Sequence, residues 1–369
     1  MSHQFDNKGY NDYFQALERQ LNKPSKPVDV VSPTPERKSK KRKGLYKVIR
    51  LRKSVIAIVL VLAVVISAVV ISGGKNKNTA KPDTQTTDQN ITSEKKPEKL
   101  KIAYKFTDDT ADIPTSNDAK NVIIIDKSTN KVIAARNATE KAYPASTTKI
   151  MTLLVAVEHI QDLSDTFTMT LDITDPLFVA EASVAQFLNN ETITMEDMLY
   201  GLILPSGADA AMGLAIKIAG SEENFVKLMN EKVKELGLKN THFANTTGLH
   251  DEDNYSTAYD MAVILDAALH NSMCKKVLST YQYTTSITPQ HPEGILLSST
   301  LFSYMYGTEP KTATILGGKT GFVNESGYCI ASYGENNQNK SEYIVVTLGN
   351  SSRWPAFYGQ IDLYKEFVK

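Results

Sequence analysis

The sequence is poor in the side chains that build disulfide scaffolds and metal centres. Of its 369 residues only Cys274 and Cys329 are cysteines, which excludes a disulfide framework. Cys329 also falls in an apolar and aromatic run, where a thiol is expected to be buried as a small hydrophobe. The six histidines show no zinc-ligand spacing, and none stands in a nucleophile–base motif. His242 and His250 flank a loop and read as surface or packing residues. Asp251-Glu252-Asp253 lacks the spacing of a calcium loop. No metal and no cofactor is expected.

Charge of one sign is absent only on average. The 41 basic and 41 acidic residues cancel, yet residues 1–54 carry fourteen Lys or Arg against five Asp or Glu. That is an excess of nine positive charges, balanced by nine negative in the remainder. Long apolar runs are also scarce, with one exception at residues 55–72, which is interrupted only by Ser67 before it closes on Ser72. It approaches the roughly 20 residues that span a bilayer. The dense basic stretch Arg37 to Lys43 precedes it, so a single-pass anchor with a cytoplasmic N-terminus is expected and most of the chain should lie outside the cell membrane. A cleaved signal peptide is the rival, but more than fifty residues before the apolar run is long for one, and no small-x-small cleavage site follows. The basic arm suits an anionic membrane surface better than nucleic acid.

The residues beyond the span divide in two. Residues 73–105 are rich in Lys, Thr, Asp, Gln, Asn and Pro with few large apolar residues, the composition of a tether. Residues 106–369 suffice for one sizeable core. The β-branched and aromatic runs at 327–333 and 343–348, separated by a polar stretch, predict an antiparallel hairpin.

Three short strings within this region agree in chemistry. Ser146-Thr147-Thr148-Lys149 stands where Pro144 introduces an apolar helical pattern, so Ser146 and Lys149 share one face of the first turn. Ser206-Gly207-Ala208 follows Pro205, which breaks an apolar helix and predicts a tight turn between two helices. Lys319-Thr320-Gly321, preceded by Gly317-Gly318 and followed by Phe322, is placed on a strand before the hairpin, with a surface bare enough for a peptide to lie alongside. Each string alone has an ordinary structural explanation: a helix N-cap with a solvated lysine, a helix connection, a plain strand. Their order and joint occurrence describe a serine nucleophile activated by lysine.

With these strings the chain resembles the penicillin-recognising serine enzymes. More narrowly it resembles the D-alanyl-D-alanine carboxypeptidases among the low-molecular-weight penicillin-binding proteins, peptidase family S11. The stretches 121–130, 243–250 and 255–262 support the resemblance, which covers residues 106–369. It implies an α+β fold of the β-lactamase/transpeptidase kind, with an antiparallel sheet flanked by helices and a mostly helical second lobe. It implies peptidoglycan stem peptides and β-lactam antibiotics as partners, with no nucleic acid. Ser146 would attack, Lys149 accept the proton and Ser206 relay it. Lys319 and Thr320 would hold the substrate carboxylate, beside Gly321. Backbone N–H groups of Ser146 and Phe322 would form the oxyanion hole.

Two departures from the family pattern are visible. Ala208 stands where Asn is usual, and 296–302 lacks the arginine expected shortly before the third string, leaving the carboxylate to Lys319 and Thr320. A β-lactamase would need a deacylating carboxylate, and Glu309-Pro310 stands after the second string and just before the third, the wrong order. A transpeptidase side activity and a catalytically weak cell-wall-binding protein of the same fold are the remaining alternatives.

Overall fold

The computed structural model describes residues 102–369 apart from 306, 307 and 309. The basic arm, the expected span at 55–72, nearly all of the tether and Glu309 lie outside the described residues.

Besides two short ribbons, β4 (Thr166–Thr168) with β5 (Thr192–Thr194) and β6 (Gln282–Thr284) with β7 (Leu296–Ser298), a six-stranded sheet in the order β1-β3-β2-β10-β9-β8 organises the body. β2 (Asn121–Asp126) and β3 (Lys131–Arg136) form the first hairpin. The third string lies on β8 (Ala313–Val323), followed by β9 (Gly327–Asn336) and β10 (Glu342–Asn350). The polar stretch between β9 and β10 is the predicted turn, where Asn336 Oδ1 accepts from the N–H groups of Gln338 and Asn339 at 2.8 and 3.1 Å. One expectation needs correcting. The sheet is mixed, because the two-residue β1 (Ala111–Asp112) runs parallel to β3 on its outer edge. The chain then crosses back to begin β2, which is antiparallel to β3, so β1 necessarily shares the direction of β3.

Side-chain alternation gives the sheet two buried faces. Ile123, Ile125, Ile344, Val346 and Leu348 point into one core, and Val122, Ile124, Tyr343 and Val345 into the other. The first core is the helical lobe. It is filled by α1 (Lys149–His159), α3 (Met195–Ile203), α4 (Ala208–Ala219), α5 (Glu222–Glu235), α6 (Ala258–Leu269) and α7 (Ser272–Leu278). Preceding α3, the short α2 (Leu171–Val179) carries the chain along the lobe. The second core is covered by α8 (Thr300–Met305) and α9 (Arg353–Phe367). The closing helix is pinned to the sheet by Gln360, which donates to Ser332 Oγ and the Val345 carbonyl at 2.8 and 2.9 Å and accepts from Thr347.

The folded body reaches back past residue 106. Tyr104 is buried, its N–H donates to the Tyr259 hydroxyl, and its own hydroxyl donates to Asp266. Residues 104 and 105 therefore belong to the body and not to the tether, because an aromatic side chain there fills a core site. Both cysteines are buried and unpaired.

Candidate active site

Ser146 does not sit in an α-helical turn as predicted. Residues Ala145–Thr148 form a tighter 3-10 turn, and α1 begins only at Lys149. No side chain caps either element, so the Ser146 hydroxyl is not used as an N-cap; it points to the Thr247 carbonyl, to which it donates at 3.4 Å. The Lys149 ammonium reaches the Ser146 hydroxyl at 3.1 Å and donates a second hydrogen bond to the Thr247 carbonyl at 2.5 Å.

Lys149 is 2% exposed. Burial penalises its charged form and pushes the amine down from 10.5 to about 7, while the nearby Asp209 carboxylate partly opposes this. Lys319 is 1% exposed, and burial, then repulsion from Lys149, drives it well below the ordinary lysine range. Two ammonium groups so placed cannot both hold a proton readily near neutral pH. Burial is therefore the main cause of the low Lys149 value, ahead of any charge on Lys319.

The Thr247 carbonyl is held by its own loop. Asn245 Oδ1 accepts from the Thr247 and Gly248 N–H groups and from the Thr247 hydroxyl, at 3.2, 2.7 and 3.2 Å. Thr152 of α1 donates to the Thr246 carbonyl at 2.8 Å. Gly248 has φ +77°, and a Cβ there would lie 2.0 Å from the Ala145 carbonyl oxygen. Only glycine lets this loop press against the nucleophile turn.

The second string occupies the predicted turn. Pro205 follows α3, and Ser206 takes φ +68°, an uncommon value for a non-glycine residue. Its side chain is buried and its Oγ has no protein partner, although it lines the same cleft as Ser146 and Lys149. Three residues on, Asp209 accepts from the N–H groups of Ala185 and Phe187 at 2.8 and 3.1 Å, which ties the segment after α2 to this turn. Desolvation raises the Asp209 carboxyl above the usual range.

The third string forms the opposite wall. β8 is the edge strand of the sheet, so one row of its backbone groups is unpaired. A Cβ on Gly321 would stand 2.8 Å from the Ser146 nitrogen, and glycine at this position brings β8 directly onto the nucleophile's amide. Thr320, Gly321 and Phe322 line the cleft with Ser146, Lys149 and Ser206. Lys319 does not. Its ammonium is buried and donates to the Thr320 carbonyl at 2.7 Å.

No arginine closely precedes the third string, but one reaches the cleft from elsewhere in the fold. Arg353, at the start of α9, lines the cleft beside Tyr304 and Tyr328, with its guanidinium 5.1 and 6.0 Å from their ring centres. Nearby, the Thr320 hydroxyl meets the Thr300 hydroxyl at 2.7 Å. Thr247, Asp209 and Arg353 were not singled out from the sequence. The loop 243–250 carried a signal for the first, whereas Arg353 lies 33 residues beyond Thr320 with nothing local to mark it.

The cleft, of about 560 Å³, thus brings together a serine hydroxyl in contact with a buried lysine amine, a second serine and the edge of a strand. The family model of D-alanyl-D-alanine carboxypeptidases, peptidase S11, matches residues 107–352, and the chain belongs to that family. Among similar proteins, D-alanyl-D-alanine carboxypeptidase DacF of Bacillus subtilis strain 168 is 34% identical over 243 residues, 64% of this chain and 59% of the relative. DacD of Salmonella typhimurium is 32% identical over 65% of this chain and 60% of its own length. The chain thus spans about three fifths of these relatives. The crystal structure of the Streptomyces K15 DD-transpeptidase matches with a TM-score of 0.61 and 28% identity, over 68% of this chain and 98% of that one.

Proposed function

We propose that the protein is a membrane-anchored serine D-Ala-D-Ala carboxypeptidase that trims the terminal D-alanine from peptidoglycan stem peptides and is acylated by β-lactams. The observation that carries this reading is the contact of Ser146 Oγ with a desolvated lysine amine, in a cleft whose far wall is an open strand edge. A peptide ending in D-Ala-D-Ala pairs with β8 as an added strand, its carboxylate toward Thr320, Thr300 and Arg353. Ser146 Oγ attacks the carbonyl between the two alanines and its proton passes to neutral Lys149. The oxyanion develops between the backbone N–H groups of Ser146 and Phe322. Ser206, whose hydroxyl has no protein partner to give up, passes a proton to the departing amine. Water then attacks the acyl-enzyme, and D-alanine and the shortened peptide leave in turn.

Ala208 leaves the nucleophile, base and relay in place, which favours an active enzyme over a purely wall-binding one. The apolar run at 55–72 with its basic flank supports an N-terminal anchor that holds the catalytic body outside the membrane.

The full chain in detergent should be labelled covalently by a fluorescent penicillin, and Ser146→Ala should abolish labelling with the Tm kept. Undiminished labelling of that variant would sink the assignment. In protoplasts, protease added outside should remove the labelled body, and a label protected from protease would contradict the topology.

A further inference from the structure

The cleft differs at its two ends. Thr320 and Thr300 lie to one side of Gly321, which abuts the nucleophile. On the other side β8 ends at Val323, and Asn324 and Glu325, in the turn that follows, still line the cleft. Glu325 is exposed, and among the described residues no lysine or arginine pairs with its carboxylate. The described basic side chains with a carboxylate in reach are spent elsewhere, as in the pairs Lys217–Asp165 and Lys340–Glu335. A negative charge held at the rim of a substrate cleft without a counter-ion attracts a cationic part of the substrate.

The direction of the strand says which part that is. A peptide whose carboxylate lies at Thr320 and whose scissile carbonyl lies at Ser146 must run antiparallel to β8, with its upstream residues toward Glu325. At ~3.3 Å per residue, the two strand steps from Gly321 to Val323 cover about 7 Å, and Glu325 lies just beyond in the turn. Two extended residues upstream of the scissile bond cover about 7 Å, and a lysine-length side chain adds about 6 Å. Resting on the carboxypeptidase reading, we propose that Glu325 recognises the free side-chain amine of the residue preceding D-Ala-D-Ala, so that the enzyme prefers stem peptides whose amine has not been consumed by an amide bond. Preference for the free amine makes the acyl donor an uncross-linked peptide. The reaction class competing for its substrate is therefore the one that acylates that amine.

The test compares Nα-acetyl-L-Lys-D-Ala-D-Ala with its Nα,Nε-diacetyl counterpart. The free-amine peptide should show a kcat/KM about two- to fivefold higher at low ionic strength, within reach of one exposed charge pair. The ratio should shrink in 0.5 M salt. Glu325→Gln should bring it to about one, and Glu325→Asp should retain part of it. Glu181, which lines the cleft from the segment after α2, supplies the control: loss of the preference in Glu181→Gln but not in Glu325→Gln overturns the assignment. Binding of the two peptides to Ser146→Ala protein, read by calorimetry, separates this inference from turnover. Tighter binding of the free-amine peptide that Glu325→Gln removes upholds it, and equal affinities or no measurable binding overturn it. A wild-type enzyme that binds both peptides yet hydrolyses neither would sink the carboxypeptidase reading instead.

Discussion

The two walls of the cleft are built on opposite plans. On the helical side every functional group is fixed by something behind it: Lys149 by burial and the Thr247 carbonyl, Thr247 by Asn245, the Ser206 turn by Asp209. On the strand side the backbone is ordered by β9, but its outer edge is unpaired and Phe322 is 47% exposed. The difference separates chemistry from recognition. Proton transfer needs a fixed distance and a dry amine, so it sits on the over-determined wall. Substrate binding supplies the missing partner of an open edge, so it sits on the wall that is incomplete alone.

The sharpest way to break this contrast is a methyl group on each wall's own terms. Gly248→Ala places a Cβ into the Ala145 carbonyl at a positive φ and should cost about 2–4 kcal/mol of stability together with most of the acylation rate. Phe322→Ala on the other wall should change stability by less than about 1 kcal/mol. Tm and penicillin labelling measure both, and a well-folded, fully active Gly248→Ala protein would show that the helical wall is not rigid.

Next in size is the effect of pH. Lys149 must be neutral to take the serine proton, and its value of about 7 makes the acylation rate rise close to tenfold per pH unit below neutrality and level off above it. The sign for stability follows from the same burial. In the unfolded chain this lysine titrates at its ordinary 10.5. Between pH 7 and 10.5 the unfolded state therefore binds more protons, and this group makes the fold more stable as pH rises. Lys149→Met should flatten that slope in Tm measurements, and an unchanged slope would assign the titration to another group.

The smallest expected effect concerns Ala208, which lines the cleft at the start of α4. An Asn there would offer one hydrogen bond to the bound peptide, about 1 kcal/mol. Ala208→Asn should then raise kcat/KM for a D-Ala-D-Ala peptide several-fold. A marked fall would mean that the cleft is shaped around alanine.

What could be read in advance depended on where the information resides. Ser146, Lys149 and Ser206 were legible because each is a side chain in a short string with a turn or helix signal beside it. The apolar run of β10 was equally plain, because a strand buried on both faces reads as a continuous hydrophobic stretch. The Thr247 carbonyl was hidden, because a backbone oxygen has no residue identity. The burial of Lys319 was hidden for a different reason: the motif gives the residue type but not which way a long side chain leaves an edge strand. Arg353 was missed because the fold, not the local sequence, returns the start of α9 to the cleft. The short β1 carried no pattern at two residues.

Gly321 has a consequence that reaches beyond substrate binding. Because β8 rests on the Ser146 amide at this residue, the strand edge proposed to read the peptide's register and the hydroxyl proposed to cut it share one datum. The position of the cleavage point along the bound chain is set without any intervening hinge or loop whose drift would blur it. A peptide one residue out of step finds its amide, and not its carbonyl, over the nucleophile. Fidelity for the last bond of the chain is thus a property of how two pieces of backbone touch.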